Sequence, residues 1–227
     1  MPEQLTHAIE DYLKAIYKLS ATGGRATTTE LANLLNVTPA SVTGMVQRLA
    51  NDDPSWVNYQ KHRGVSLTPE GERAALEIIR HHRLIEMFLH EILGYPWDEV
   101  HDEAERLEHV ISEDFEERIA KVLGDPTHDP HGDPIPTRDL KIPPACVTRL
   151  SDLRPDQHAV VVRVRDSDPD LLRHLGELGL KPETRVSILE HSPFDENLKI
   201  QINGQPGPVV LGRKITQQVF VDILSLP

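Results

Sequence analysis

The chain has 227 residues, a formal net charge of −12 at pH 7 and a single cysteine, Cys146. One cysteine excludes an internal disulfide framework and is typical of a protein in the reducing cytoplasm. The N-terminus is polar, and no apolar run reaches transmembrane length, so we expect a cytoplasmic protein with no membrane partner. This length allows one large domain or two to three small ones.

The negative charge is unevenly distributed along the chain. Residues 1–80 carry 8 Lys and Arg against 9 Asp and Glu, whereas residues 81–227 carry 16 against 27. The first part can therefore approach a polyanion such as DNA, while the remainder repels polyanions and attracts cations.

Residues 29–50 have the pattern of a helix-turn-helix. After a short amphipathic helix and a turn, Thr38 is suited to cap a second helix and Pro39 to occupy its first position. The early residues of that helix are small, so its outer face can lie close to a DNA groove. The candidate DNA-contacting residues here are Thr38, Pro39, Ala40, Ser41, Thr43, Gly44 and Arg48.

Residues 56–67 alternate in polarity and turn at Arg63-Gly64, which predicts a β-hairpin. Lys61 and Arg63 lie at its tip, where they can meet phosphates. Thr68-Pro69 then repeats the cap-and-proline start of a helix. Together these elements predict a winged helix. Its use for protein contacts is the alternative, but the basic tip and the small-residue helix face favour DNA.

A single helix over residues 98–123 would place four side chains of metal-ligand type on one face, at spacings i, i+4, i+7 and i+8. They are His101, Glu105, Glu108 and His109. The preceding helix carries His82 and Glu86 one turn apart, whereas His81 points about 100° away and is expected at the surface. Two facing helices with such pairs predict a divalent-cation site. The alternative is a solvated acidic face.

The same predicted helix has an apolar stripe roughly 90° from the metal-ligand stripe. The stripe consists of Ala104, Leu107, Ile111, Phe115, Ile119 and Val122. Two helices cannot bury both stripes alone, so we expect a second subunit to cover part of this surface in a two-fold symmetric homodimer.

A proline-rich stretch over residues 126–144 cannot form a regular helix or a central strand. Beyond it, short β-type runs are separated by turn residues and interrupted by one helix at about 169–178, which predicts a small barrel. The expected fold is mainly α with β. A winged helix-turn-helix over 1–75 precedes a helical dimerisation and metal-binding domain with a Pro-rich linker over 76–147 and a small SH3-like β-barrel over 148–227.

These patterns together resemble the diphtheria-toxin-repressor (DtxR/MntR) family. The resemblance is carried by the helix-turn-helix, His82-Arg-Leu-Ile-Glu86, the run from His101 to His109, and His131-Gly-Asp-Pro-Ile-Pro136. The run 171–180 with its flanking strands is similar to the FeoA-type, SH3-like domain of longer members. The resemblance implies a metal-dependent transcriptional repressor of metal-ion homeostasis, in which a homodimer binds a palindromic double-stranded operator.

The resemblance also implies two metal sites. The first would contain Asp11, Glu105, Glu108 and His109, with His82 nearby. The second would contain His101 and Glu86, with His82 as a further candidate. In members with a third domain, linker and barrel add ligands; the corresponding residues are Asp129, His131 and Asp166, with Asp168 or Asp170 as looser candidates.

The chain has Asp11 and Glu105 where iron-type members resemble one another in using a thioether and a thiol. Hard oxygen ligands with imidazole favour Mn²⁺ as the corepressor; Fe²⁺ is the alternative, and Zn²⁺, Co²⁺ and Cd²⁺ are also expected to bind in vitro. Lys14 replaces a glutamate of some manganese-type members and favours separated sites. The rival function is a metalloenzyme with the same His/Glu cluster, but the chain has no HExxH and no nucleophile motif.

Overall fold

A computed structural model describes residues 5–20, 24–165 and 168–224 of the chain. The helices and strands are α1 His7–Ser20, α2 Thr28–Leu34, α3 Pro39–Asn51, β1 Val57–Gln60, β2 Gly64–Leu67, α4 Pro69–Glu91, α5 Val100–Leu107, α6 Glu113–Val122, β3 His158–Val164, α7 Pro169–Leu178, β4 Arg185–His191, β5 Leu198–Ile202, β6 Val209–Leu211, α8 Arg213–Thr216 and β7 Val219–Leu224. Among the described residues, no helix is both long and apolar enough to span a membrane.

The chain divides into two compact units. The first comprises residues 1–82, 107–112 and 136–142, and the second comprises 83–106, 113–135 and 143–227. The first unit holds the winged helix, and the second holds the C-terminal β domain. Each candidate metal centre described below is built within one unit.

The predicted winged helix is confirmed. Thr38 caps α3 by accepting a hydrogen bond from the Ser41 N–H, and Pro39 follows at the first helical position. β1 and β2 pair antiparallel in a hairpin whose tip is residues 61–63. The apolar faces of α1, α2 and α3 pack with the hairpin into one core, whose fully buried members include Leu13, Ile16, Leu31, Val42, Val46, Leu49 and Val65.

The prediction of a single helix between α4 and the proline-rich stretch is wrong, because the chain forms α5 and α6 there. At the end of α5, the Val110 N–H bonds to the Leu107 carbonyl three residues back, which closes a tight turn. Glu108 and His109 therefore lie in this turn, beyond the helix that carries His101. The four residues predicted to share one helix face do not do so.

The predicted apolar stripe is correspondingly divided between two helices. Ala104 on α5 and Ile119 on α6 are buried, whereas Phe115 is 46% exposed and Val122 is 64% exposed. α6 thus exposes two large apolar side chains beside charged ones, and these two are available for contact with another chain.

The C-terminal β domain is a five-stranded antiparallel sheet with strand order β6-β5-β4-β3-β7. β3 has a bulge between Val161 and Arg163 where it pairs with β7. Trp97, which precedes α5, belongs to the same buried core as the sheet. The predicted fold, mainly α with a small C-terminal β domain, is confirmed. Strand β6 was missed because a run of three residues, Val209–Leu211, is too short to show a period.

A capping box starts the first helix of the helix-turn-helix. The Thr27 hydroxyl accepts a hydrogen bond from the Glu30 N–H at 3.1 Å, and the Glu30 carboxylate accepts one from the Thr27 N–H at 2.8 Å. We expect Thr27→Ala to lower the free energy of unfolding by about 1 kcal/mol, because the Glu30 N–H at the helix end loses its acceptor. Urea denaturation measures the change. Thr27→Ser keeps the hydroxyl and should match the unsubstituted protein; an equal loss in both variants would contradict the prediction.

Candidate metal centres

Three ligand-type side chains of the first unit converge at one point, here called centre 1: Asp11, Glu108 and His109. One possible ligand atom from each lies within 4.8 Å of the others. His109 Nε2 is 3.0 Å from Asp11 Oδ1 and 3.5 Å from Glu108 Oε1. The Glu108 side chain is 1% exposed, whereas that of Asp11 is 47% exposed. The group is thus buried on one side and accessible on the other.

Centre 1 is assembled from α1 and from the turn after α5. Asp11 lies on α1, whose opposite face is anchored in the winged-helix core. The turn is held by His81 of α4, whose Nδ1 is 3.1 Å from the Glu108 carbonyl oxygen. This bond satisfies a carbonyl at the helix end. The expectation that His81 lies at the surface is therefore wrong, since it is only 6% exposed.

The ring of His109 is oriented by α1. Its Nδ1 donates a hydrogen bond to Glu10 Oε2 at 2.7 Å, and its face stacks on His7 with the ring centroids 4.8 Å apart. Because Nδ1 carries the hydrogen, a neutral ring presents the lone pair of Nε2 toward Asp11. A carboxylate that fixes the far nitrogen in this way is typical of metal-bound histidines.

Two further side chains surround Glu108. Lys14 Nζ donates to both of its carboxylate oxygens, at 2.9 and 2.7 Å, and His82 Nδ1 lies 2.5 Å from Oε2. Burial raises the pKa of Glu108, but the hydrogen bond and charge of His82 together with Lys14 outweigh burial, so the pKa is lowered. Glu108 is therefore held as a carboxylate, which is the form that binds a metal ion.

Burial is the main cause that raises the pKa of Asp11, and the charge of Glu108 raises it further, while His109 and Lys14 act in the opposite direction. The two carboxylates thus repel each other across centre 1. Oxygen and imidazole donors gathered in this way fit a divalent cation, whose charge would relieve the repulsion.

A second group, centre 2, lies in the second unit and consists of Glu86, Asp129 and His131. All three are buried, and their ligand atoms lie within 4.8 Å of one another. His131 Nδ1 is 3.9 Å from Glu86 Oε2 and makes no hydrogen bond among the described residues. A buried ring nitrogen directed at carboxylates without a hydrogen bond fits a cation ligand.

His101 contacts Glu86 from α5. Its Nδ1 donates to Glu86 Oε1 at 3.0 Å, and its Nε2 lies 3.6 Å from Glu105 Oε1. The structure thus groups His101 with Glu86, as the sequence suggested, and pairs Glu105 with His101. Asp166 lies outside the described residues. Asp168 caps α7 by accepting from the N–H groups of Asp170 and Leu171.

The candidate DNA-contacting residues lie in the first unit on α3 and the hairpin tip. Lys61 and Arg63 are exposed at the tip. Thr43 is half-buried and its hydroxyl donates to the Pro39 carbonyl at 2.9 Å. The other candidate DNA-contacting residues on α3 and at its cap are exposed: Thr38, Pro39, Ala40, Ser41, Gly44 and Arg48. A Cβ added to Gly44 would meet no described atom within 4 Å, so this face of α3 is open.

Sequence reasoning missed three residues around centre 1. The sequence patterns assign no role to Glu10 or His7, and they predict His81 at the surface. The available signal for Glu10 was its position beside Asp11 in an acidic first turn. No local pattern could show that it contacts His109, 99 residues away in the chain.

Sequence models of known families match nearly the whole chain. The N-terminal DNA binding domain of the iron dependent repressor matches residues 4–65, and the metal binding and dimerisation domain of the same repressor matches residues 68–137. The FeoA domain matches residues 148–223.

Curated relatives include an iron-dependent repressor and an HTH-type transcriptional regulator. The iron-dependent repressor IdeR of Mycobacterium leprae (strain TN) is 38% identical over 231 residues, covering 96% of this chain and 98% of that protein. The HTH-type transcriptional regulator MntR of Lysinibacillus sphaericus (strain C3-41) is 36% identical over 118 residues, covering 52% of this chain and 83% of that protein.

Solved structures show the same fold along the chain. A manganese-dependent transcriptional repressor in complex with manganese is 37% identical, with a TM-score of 0.85 and coverage of 95% of this chain and 100% of that chain. ScaR with bound Zn²⁺ is 33% identical, with a TM-score of 0.78 and coverage of 94% and 98%.

The orientation of His109 by Glu10 can be tested directly. We expect Glu10→Ala to weaken Mn²⁺ binding at centre 1 by about 10- to 100-fold, because the ring loses the acceptor that fixes its tautomer. Electron paramagnetic resonance of free Mn²⁺ measures the affinity. Glu10→Gln keeps an acceptor oxygen and should lose less. Unchanged affinity in Glu10→Ala would show that Glu10 does not orient the ligand.

Proposed function

The chain belongs to the iron-dependent repressor family of metal-dependent DNA-binding regulators, and on that premise we propose that Mn²⁺ is its corepressor, acting through centre 1. Members of this family are transcriptional repressors, so the chain is a DNA-binding repressor and not a metalloenzyme. The observation that carries the proposal is the convergence of Asp11, Glu108 and His109 between α1 and the turn after α5.

The donor atoms support the choice of metal. Both centres offer carboxylate oxygens and imidazole nitrogens, and the described groups contain no sulfur. Hard oxygen donors suit Mn²⁺ better than the softer ions that thiolates select. Fe²⁺ is the alternative, because relatives of both kinds exist: IdeR is named as iron-dependent, and a structural neighbour is named as manganese-dependent.

The switch depends on α1, which belongs to both centre 1 and the winged helix. Its apolar face, with Leu13 and Ile16 fully buried, fixes it within the DNA-binding domain. Its polar face presents Asp11 to Glu108 and His109. A bound divalent ion supplies the positive charge that makes this gathering of carboxylates favourable. Closure of centre 1 therefore fixes the position of α1 and, with it, the reading helix α3.

Centre 2, formed by Glu86, Asp129 and His131, acts as an ancillary site. Glu105, whose Oε1 lies 3.6 Å from His101 Nε2, and Asp166, which lies outside the described residues, stay predictions from the sequence. Lys14 already neutralises part of the charge of Glu108, at 2.7 Å from Oε2. This favours one ion in centre 1 and a separate ion in centre 2.

The regulator binds DNA as a homodimer with α3 in the major groove. The apolar exposed residues Phe115 and Val122 on α6, with Ile92 and Leu93 after α4, supply a surface for a second copy. A two-fold dimer matches a palindromic operator whose half-sites lie about 34–36 Å apart.

Metal-dependent DNA binding tests the proposed function. We expect Mn²⁺ to tighten binding to the promoter DNA of the protein's own gene by roughly 5- to 150-fold, measured by fluorescence anisotropy. His109→Ala should abolish this gain, and Asp129→Ala should reduce it less, because centre 2 is ancillary. His128→Ala, an exposed loop histidine, is the matched control and should behave as the unsubstituted protein.

Tight DNA binding that is indifferent to metal would overturn the corepressor role. Equal losses in His109→Ala and Asp129→Ala would show that the two centres are not ranked as proposed. Anaerobic titrations with free Mn²⁺ and Fe²⁺ decide the physiological metal: half-maximal activation within the cellular range for Fe²⁺ alone would favour the alternative.

Phosphate contacts by the wing give a second test. Lys61→Ala and Arg63→Ala should each weaken binding to all DNA sequences and reduce the slope of log affinity against log salt by about 1. Anisotropy titrations over a series of KCl concentrations measure the slope. Lys121→Ala, an exposed lysine on α6, removes the same charge away from the wing and should leave the slope unchanged. A slope unaffected by either wing substitution would exclude these phosphate contacts.

A further inference from the structure

The segment that carries two ligands of centre 2, residues 129–133, is attached to the C-terminal sheet; we call it the His131 strap. The Val164 N–H of β3 donates to the His131 carbonyl at 2.9 Å. Arg163 Nη1 donates to Asp133 Oδ1 at 3.0 Å. The strap therefore lies against the end of β3, beside the bulge of that strand.

Gly132 permits this close approach. Its φ is +88°, and an added Cβ would overlap the Val162 carbonyl oxygen and lie 2.8 Å from the Arg163 Cα. Only glycine adopts this backbone conformation without strain, and only glycine leaves room for the backbone of β3. The position of the strap is thus fixed by direct backbone contact with the sheet.

The ring of His131 is held by Trp97, which precedes α5 and packs against the C-terminal sheet. Its Nε2 is 2.7 Å from the Trp97 carbonyl oxygen, which can only accept, so Nε2 carries the hydrogen. In the neutral ring the lone pair is then on Nδ1, which lies 3.9 Å from Glu86 Oε2. Trp97 is 4% exposed and packs in the core of the C-terminal sheet.

The loop of the strap is closed by Asp129. Its Oδ1 accepts hydrogen bonds from the N–H groups of His131 at 2.9 Å and Asp133 at 3.0 Å. These hydrogen bonds join the backbone of the two ligand residues, and the Val164 N–H attaches it to β3.

We propose that the C-terminal β domain is the scaffold that sets the metal affinity of centre 2, with Gly132 and Arg163 as positioning residues for His131. The inference rests on the proposed function, since it assumes that centre 2 binds a metal ion. The C-terminal domain would thus orient a ligand that lies outside its own part of the sequence. β3 holds the backbone of His131, and the core around Trp97 holds its ring.

Gly132→Ala tests the proposal against Gly94→Ala. Both glycines have positive φ, but a Cβ at Gly94 meets no described atom within 4 Å, so the control has the backbone strain without the collision. We expect Gly132→Ala to weaken Mn²⁺ binding at centre 2 by about 10- to 100-fold and to leave centre 1 unchanged. Electron paramagnetic resonance of free Mn²⁺ gives both affinities, with His131→Ala as the reference for loss of centre 2.

A second readout needs no metal. ¹⁵N NMR of histidine-labelled, metal-free protein should show His131 in the form protonated on Nε2, and Gly132→Ala should change this tautomer while Gly94→Ala does not. Arg163→Met retains the aliphatic stem and removes the bond to Asp133. This substitution gives the same comparison if Gly132→Ala fails to fold, and it should also weaken Mn²⁺ binding at centre 2.

The outcomes distinguish the scaffold proposal from the proposal that centre 2 binds a metal ion. If Gly132→Ala and Arg163→Met bind Mn²⁺ at centre 2 as tightly as Gly94→Ala, with an unchanged tautomer, the scaffold proposal is overturned. If His131→Ala binds as many Mn²⁺ ions as the unsubstituted protein, centre 2 itself is wrong. The tautomer of metal-free Gly132→Ala then decides alone whether the sheet orients the ring.

Discussion

The Glu108 carboxylate imposes the constraint on which centre 1 depends. Its side chain is 1% exposed, and an unpaired buried charge would cost on the order of several kcal/mol, so the fold must supply partners. Lys14 of α1 and His82 of α4 do so, at 2.7 and 2.5 Å. These contacts join two helices to the turn after α5. Because the turn is held against α1, His109 is held there as well, 3.0 Å from Asp11.

The histidines of the two centres present different ring nitrogens to the carboxylates. His109 is fixed through Nδ1 by Glu10 and presents Nε2, whereas His131 is fixed through Nε2 by the Trp97 carbonyl and presents Nδ1. In each case an acceptor from another part of the chain selects the nitrogen that faces the carboxylates. The geometry of centre 1 is therefore coupled to α1 and the winged helix, and that of centre 2 to the C-terminal sheet.

This division explains how one chain can bind both a cation and DNA despite its net charge of −12. Buried carboxylates are concentrated at the centres, and basic residues Lys61 and Arg63 are exposed at the tip of the wing. Helix α1 connects the two functions within the first unit, since one face packs in the winged-helix core and the other presents Asp11. In the proposed function, α1 itself would carry a change at centre 1 to the winged helix, because the same helix belongs to both.

The sequence by itself determined the elements whose signals are local. Thr38 and Pro39 set the start of α3, the alternating residues before and after the wing tip set the hairpin, and the proline at 169 set the start of α7. It also identified the histidines and carboxylates of metal-ligand type, because residue type is read directly from the sequence whatever the backbone conformation. Only the tertiary structure decided that α5 ends at Leu107, since the His81 ring that holds the Glu108 carbonyl comes from a distant helix. Such long-range contacts leave no periodic pattern in the sequence. The tertiary structure therefore decided which side chains meet and which ring nitrogen each histidine presents.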